Sequence, residues 1–72
     1  MAKPQKEMIF RCISGIWQDA STQRVLADVL AEYDIVVDDR CEFARIMDYA
    51  RNVSIWYRAS AGKVTLTIWR IN

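Results

Sequence analysis

The chain has 72 residues, which is short for a domain without cross-links, and its 53% apolar composition is what one small core requires. It contains no histidine, so the commonest general base and the commonest metal ligand near neutral pH are missing. We therefore expect one domain over residues 1–72 that is not an enzyme and has no catalytic, cofactor-binding or metal-binding residue.

The net charge of +1 conceals an uneven distribution of charge. Residues 19–50 contain eight acidic side chains and three arginines, whereas residues 51–72 contain four basic side chains and no acidic one. Such separation bears on partners and on steering. A simpler explanation is that the acidic and basic elements attract each other within the fold.

Three features predict where the protein resides. Cys12 and Cys41 fit neither a CxxC motif nor a disulfide framework, and the N-terminus lacks the pattern of a signal peptide. No apolar run approaches the roughly 18 residues of a membrane helix. We expect a reduced, cytoplasmic protein that has no membrane segment.

The N-terminal third predicts a tail and a strand. MAKPQKE, residues 1–7, is polar and predicts a frayed tail. MIFRCISGIW, residues 8–17, is apolar on nearly both sides of an extended chain, which predicts an interior strand. Ser14 and Gly15 mark its end or a bulge.

The middle of the chain predicts a helix followed by a short strand. In residues 19–34, DASTQRVLADVLAEYD, the apolar positions form one helical stripe: Val25, Leu26, Val29, Leu30 and Tyr33. Ser21 or Thr22 would be the N-cap. The β-branched triplet at residues 35–37 predicts a buried strand.

Residues 39–52, DRCEFARIMDYARN, predict a second helix. Asp39 and Glu42 have the spacing of a capping box, with Asp39 as the N-cap. The buried stripe of this helix would consist of Phe43, Ile46, Met47 and Ala50.

The predicted order is β-α-β-α-β-β with a C-terminal hairpin. It favours an α+β two-layer sandwich, in which two helices pack on one face of a β-sheet and leave the other face uncovered. This order, with IVVDDRCEF preceding the hairpin, resembles the sulfur-carrier proteins of the TusA type. The working cysteine of those proteins is followed by proline at the start of the first helix, whereas Cys12 is followed by Ile13 within a strand. The resemblance implies a topology and no activity.

The hairpin, VSIWYRASAGKVTLTIWR, has two alternating faces. If Ser60 pairs with Lys63 around an Ala-Gly turn, Trp56 lies opposite Thr67. The aliphatic face would meet the helices and consist of Val53, Ile55, Val64, Leu66 and Ile68. The other face would carry Trp56, Arg58, Thr65, Thr67, Trp69 and Ile71, joined by Ile9 and Ile13 if Arg11 points outward. In the alternative, the sheet closes on itself or Trp17 and the N-terminal segment cover this face.

Cys41 with its acidic neighbours, and the acidic helix surface, each allow both a structural and a functional interpretation. Cys41 near a helix N-terminus is a candidate nucleophile, but the nearby carboxylates of Asp38, Asp39 and Glu42 disfavour a thiolate and favour a capping role. The same three acids are too few for a dedicated cation site. The acidic helix surface is either a solvated face or an imitation of nucleic acid.

Large apolar patches that contain tryptophan and arginine are typical of interaction sites. We therefore expect a non-catalytic protein-interaction module, a small inhibitor or adaptor, acting through the aromatic sheet face, the acidic helix surface or both. Its size is typical of a phage-encoded modulator of host or defence machinery. The other expected occupant of the face is a second copy of the chain, which would make a homodimer. The expected partner-binding residues are Trp56, Trp69, Arg58, Thr67 and Arg11. The alternative is a nucleic-acid-binding protein that uses the basic aromatic hairpin.

Overall fold

A computed structural model describes residues 3–72 of the chain. The elements are β1 (Lys6–Ile13), β2 (Ile16–Asp19), α1 (Leu26–Glu32), β3 (Phe43–Asp48), β4 (Val53–Ser60) and β5 (Lys63–Arg70). The strands form one antiparallel sheet in the order β2-β1-β5-β4-β3. No helix within the described residues is long and apolar enough to cross a membrane.

The predicted two-helix sandwich is wrong. The observed order is β-β-α-β-β-β, and the short helix α1 alone packs with the sheet where two helices were expected. The topology implied by the resemblance to sulfur carriers is therefore absent as well. Five strands can pair here because each of three tight turns returns the chain beside the strand that it has just left.

The first predicted strand is a hairpin. β1 is an interior strand, as predicted, but it ends at Ile13, and Ser14 and Gly15 form a turn with φ of 51° and 83°. Two positive φ values are those of a type I′ turn, which matches the twist of a hairpin. β1 also begins at Lys6, inside the predicted tail, while Met1 and Ala2 of that tail lie outside the described residues.

The helix is shorter than the sequence predicts because Asp19 organises the residues before it. The buried carboxylate of Asp19 accepts hydrogen bonds from the backbone N–H of Ser21 (3.0 Å) and the hydroxyl of Thr22 (3.1 Å). Both predicted caps thus belong to a turn. The helix starts at Leu26, and Val25 at the N-cap makes no side-chain capping bond.

The predicted strand at residues 35–37 is an irregular segment after the helix. Asp34 has a φ of 57°, and the N–H groups of Asp34 and Ile35 bond back to Ala31 and Leu30 at 3.1 and 2.9 Å. This is the Schellman pattern that ends helices. It turns Ile35 into the core and leaves Val36 97% exposed, so the β-branched triplet pairs with nothing.

The predicted second helix is strand β3 and the turn after it. In a segment this short the apolar residues also fit an extended chain, with Ala44 and Ile46 on one side and Phe43 and Met47 on the other. β3 pairs with β4 along its whole length, so the outward backbone groups of β4 are hydrogen-bonded and β3 becomes the edge of the sheet. Ala44 and Ile46 consequently face the core, whereas Phe43 and Met47 face away from it.

The core lies between the sheet and α1. It consists of Met8, Phe10, Val29, Ile35, Val53, Ile55, Tyr57, Val64, Leu66 and Ile68. The predicted aliphatic face of the hairpin is therefore confirmed, as is its register with Ser60 opposite Lys63. Trp17 packs against this core and leaves the other side of the sheet uncovered.

Arg51 holds the β3–β4 turn against the end of the helix. Its guanidinium donates to the backbone carbonyl of Glu32 at 2.9 Å, pairs with Asp48 and lies 5.5 Å from the ring centre of Tyr33. The last turn of α1 contains no basic residue of its own. Arg51 therefore supplies from elsewhere the positive charge that a helix C-terminus favours.

Candidate binding face

The side of the sheet opposite α1 is here called the open face. The β4–β5 register places Trp56 beside Thr67 and Arg58 beside Thr65, and the β1–β5 register adds Glu7, Ile9 and Arg11 to the same side. Trp56 and Phe43 are 38% and 57% exposed. All five predicted binding residues, Trp56, Trp69, Arg58, Thr67 and Arg11, thus lie on this one face. Their role in binding remains a prediction.

Three aromatic rings form a row across the open face. Phe43 meets Trp56 edge to face, with ring centres 6.2 Å apart and planes at 76°. Trp56 and Trp69 follow at 5.9 Å and 49°. These separations and tilts are those of favourable aromatic pairs. The row spans β3, β4 and β5 because Phe43, Trp56 and Trp69 occupy the outward register of neighbouring strands.

Arg45 adds a charge to the row. Its guanidinium lies 5.4 Å from the ring centre of Trp56, the distance of a cation–π contact. Arg45 lies directly opposite Trp56 in the β3–β4 ladder, which brings the side chain there. A partner that stacks on that side of Trp56 must displace this arginine or pack around it.

The two indole N–H groups differ in their partners. Nε1 of Trp56 donates to Oγ of Ser54 at 3.2 Å. Nε1 of Trp69 is buried and has no hydrogen-bond partner among residues 3–72. An unsatisfied buried donor destabilises a fold by about 1–3 kcal/mol. Packing against neighbouring side chains, and no hydrogen bond of its indole N–H among the described residues, therefore holds Trp69 in position.

The open face is predominantly basic. Its charged side chains are Arg11, Arg45, Arg58 and Lys63 against Glu7. Glu7, Arg58 and Lys63 line a depression of about 520 Å³, together with Phe43, Trp56 and three hydroxyl residues. A shallow basic hollow with an aromatic wall fits an anionic group on a partner. Farther along, Ile13 and Ile16 lie opposite each other and extend the apolar surface.

Sequence reasoning missed three residues of this face, Phe43, Arg45 and Met47, because it placed them on a helix. The available signal was that Ala44 and Ile46, two residues apart, form an apolar pair on one face of an extended chain, and both are half-buried in the structure. The competing helical spacing concealed it.

Cys41 and the acidic segment are held by local hydrogen bonds. The Cys41 thiol donates to the carbonyl of Phe43 at 3.4 Å, and the Asp38 carboxylate accepts the backbone N–H of Arg40 at 2.8 Å. Asp39 caps no helix, because none begins there. Within residues 3–72 no group of three or more His, Cys, Asp or Glu side chains is arranged to hold a metal ion.

Comparisons with known proteins add no relative: the chain matches no family model, no curated protein and no solved structure at a significant level.

Proposed function

We propose that this protein is a non-catalytic, cytoplasmic binding module, an inhibitor or adaptor that docks the open face onto an acidic surface of another protein. The row of Phe43, Trp56 and Trp69 is the observation that carries the proposal. Aromatic residues and arginine dominate the energetics of protein interfaces. Here they occupy one face that the core does not use.

The expected energetics are those of a small interface with an aromatic centre. Covering about 150–250 Å² of one tryptophan contributes roughly 4–6 kcal/mol before the costs of association. Arg45 and Arg58 flank Trp56 in the ladder, where they pair with carboxylates of a partner around an apolar centre. The predominance of basic charge also disfavours a face-to-face contact with a second copy, because like charges would meet.

Site-specific photo-crosslinking tests this proposal. A photoreactive amino acid replaces Thr67 on the open face and, as a matched control, Ala31 on the exposed surface of α1. We expect Thr67 alone to capture a partner protein in the cells that produce the chain. The purified partner should then lose binding when Trp56 is replaced by alanine. Capture from Ala31 alone, or undiminished binding of Trp56→Ala, would contradict the proposal.

The basic charge of the open face also favours a second candidate, a single-stranded nucleic acid. Arg11, Arg58 and Lys63 would contact phosphates while aromatic rings stack on bases. Affinity for a fluorescent single-stranded oligonucleotide would then be measurable and would fall steeply with salt, because the phosphate contacts release counterions. The Arg45 guanidinium over Trp56 occupies one stacking surface, which places this candidate second.

A further inference from the structure

The outer edge of β3 is an unpaired strand edge. Among the described strands β3 pairs with β4 alone. The N–H of Ala59 donates to the carbonyl of Glu42 at 2.9 Å, and hydrogen-bonded pairs alternate along an antiparallel ladder, so they fall on the even-numbered residues of β3. The backbone N–H and carbonyl groups of Phe43, Arg45 and Met47 therefore point away from β4.

The opposite edge of the sheet is covered. Gln18 of β2 bridges to Val25, and the N–H of Asp19 donates to the carbonyl of Arg24 at 2.9 Å. The segment that leads into α1 thus covers the edge of β2. Exposed edges attract further strands, and β3 contains neither proline nor lysine, the residues that commonly prevent such pairing.

Apolar surface flanks the β3 edge on both sides. On the open face Met47 is 38% exposed beside Phe43. On the helix side a depression of about 560 Å³ is lined by Tyr33, Ile46 and Tyr49, among others. A strand laid along β3 would gain backbone hydrogen bonds and would cover apolar side chains on both of its faces.

We propose that β3 pairs antiparallel with β3 of a second copy about a two-fold axis at Ile46, which joins the two sheets into one. This inference goes beyond the proposed function, because it concerns the edge of the sheet. The Phe43 carbonyl already accepts a hydrogen bond from the Cys41 thiol at 3.4 Å. The outward backbone groups of Arg45 and Met47 are therefore the ones that pair at the centre of the edge. In the proposed register Arg45 of each copy lies opposite Met47 of the other copy, and these two residues form a hydrogen-bonded pair.

Charge selects this register over its neighbour. An axis one pairing step away, at Arg45, would set two arginines directly opposite each other, which is unfavourable across strands. An axis at Ile46 sets Arg45 opposite Met47 of the second copy and Ile46 opposite its own equivalent. The axis closes the assembly at a dimer because each copy contributes its one uncovered edge among the described residues.

Sedimentation equilibrium of the purified protein, from low to high micromolar concentration, tests the proposal. We expect a monomer–dimer equilibrium whose dissociation constant rises by about two orders of magnitude in Met47→Pro, which removes the outward N–H that Met47 would donate to Arg45 of the second copy. The β3–β4 ladder does not use that N–H. Trp56→Ala should leave the dimer intact, because Trp56 lies on the open face of the neighbouring strand.

A charge pair at Met47 keeps the test valid if the proline variant fails to fold. Met47→Arg places like charges opposite Arg45 of the second copy, and Met47→Glu places opposite charges there. Since each dimer contains the pair twice, we expect dissociation constants that differ by about tenfold, with Met47→Glu the tighter. Amide exchange should show concentration-dependent protection at Arg45 and Met47 but none added at Ile46, whose N–H faces β4.

Three results would overturn the proposal: a wild-type protein that stays monomeric over the whole range, a dimer that Trp56→Ala dissociates and Met47→Pro does not, or a dimer indifferent to the sign of charge at residue 47. The two proposals can fail separately, since partner capture from Thr67 does not require the β3 edge.

Discussion

The two faces of the hairpin differ in what their side chains do, although both are built from the same alternating strands. Ile55 and Leu66 are fully buried between the sheet and α1, whereas their neighbours Trp56 and Thr67 lie opposite each other on the open face. The short helix and the segment after it cover one face of a five-stranded sheet. The comparison shows that folding uses one register of each strand and leaves the other free to carry a binding surface.

Alanine substitutions on the buried face and on the open face should differ in their effect on the free energy of unfolding. The largest loss is expected at Leu66. Leu66→Ala removes a fully buried side chain and should lower the free energy of unfolding by about 2–5 kcal/mol. Thr67→Ala, the next residue on the open face, should change it by less than about 1 kcal/mol. Urea denaturation followed by circular dichroism measures both. Equal losses would mean that the open face is part of the core.

Trp56→Ala should affect partner binding and leave the fold intact. Once the partner is purified, we expect the variant to lose at least about 30-fold in affinity, the effect of an interface hot spot, while it keeps its fold. Isothermal titration calorimetry measures the affinity. The matched control is Val36→Ala, which trims a 97% exposed apolar residue beyond the helix and should bind normally. Equal loss in both variants would place the contact off the open face.

Acid should slightly weaken the ion pairs on the helix-covered side of the sheet. The side-chain hydrogen bond from Arg51, and then its backbone N–H, lower the pKa of Asp48, and the side-chain hydrogen bond from Arg24 lowers the pKa of Glu32. Because the folded values lie below the unfolded ones, the stabilisation is present above pH of about 4 and is lost as the pH falls through the folded pKa values.

The free energy of unfolding, measured by urea titration down the acid range, should therefore fall less steeply in Arg51→Met than in the wild type. The variant loses the side-chain hydrogen bond to Asp48 but keeps the backbone N–H, so the pKa of Asp48 should be lowered less than in the wild type, which an NMR titration of that carboxyl group should show directly. An unchanged acid slope in Arg51→Met would contradict the assignment of this effect to the Arg51 contacts.

Local patterns in the sequence predicted the parts of the fold that depend on near neighbours. The register of the β4–β5 hairpin, with Trp56 opposite Thr67, follows from a short turn and strict alternation. A positive φ of 75° at Gly62 fits that turn, since glycine adopts it without strain. The division of the hairpin into a buried and an open face was predicted for the same reason, because the side-chain period of a strand is two.

Residues 39–52 contain a strand and a turn because of long-range contacts that their own spacing does not reveal. Their spacing fits a helix, but pairing with β4 covers the edge of that strand and packs Ala44 and Ile46 against the core. The same long-range pairing set β1 beside β5, placed Phe43 and Arg45 around Trp56 and left the edge of β3 open. In the β4–β5 hairpin, the local pattern of residues was enough to predict which side chains share a face, because alternation is a local property of an extended chain. The tertiary structure determined which strands are neighbours, because that depends on contacts between distant residues.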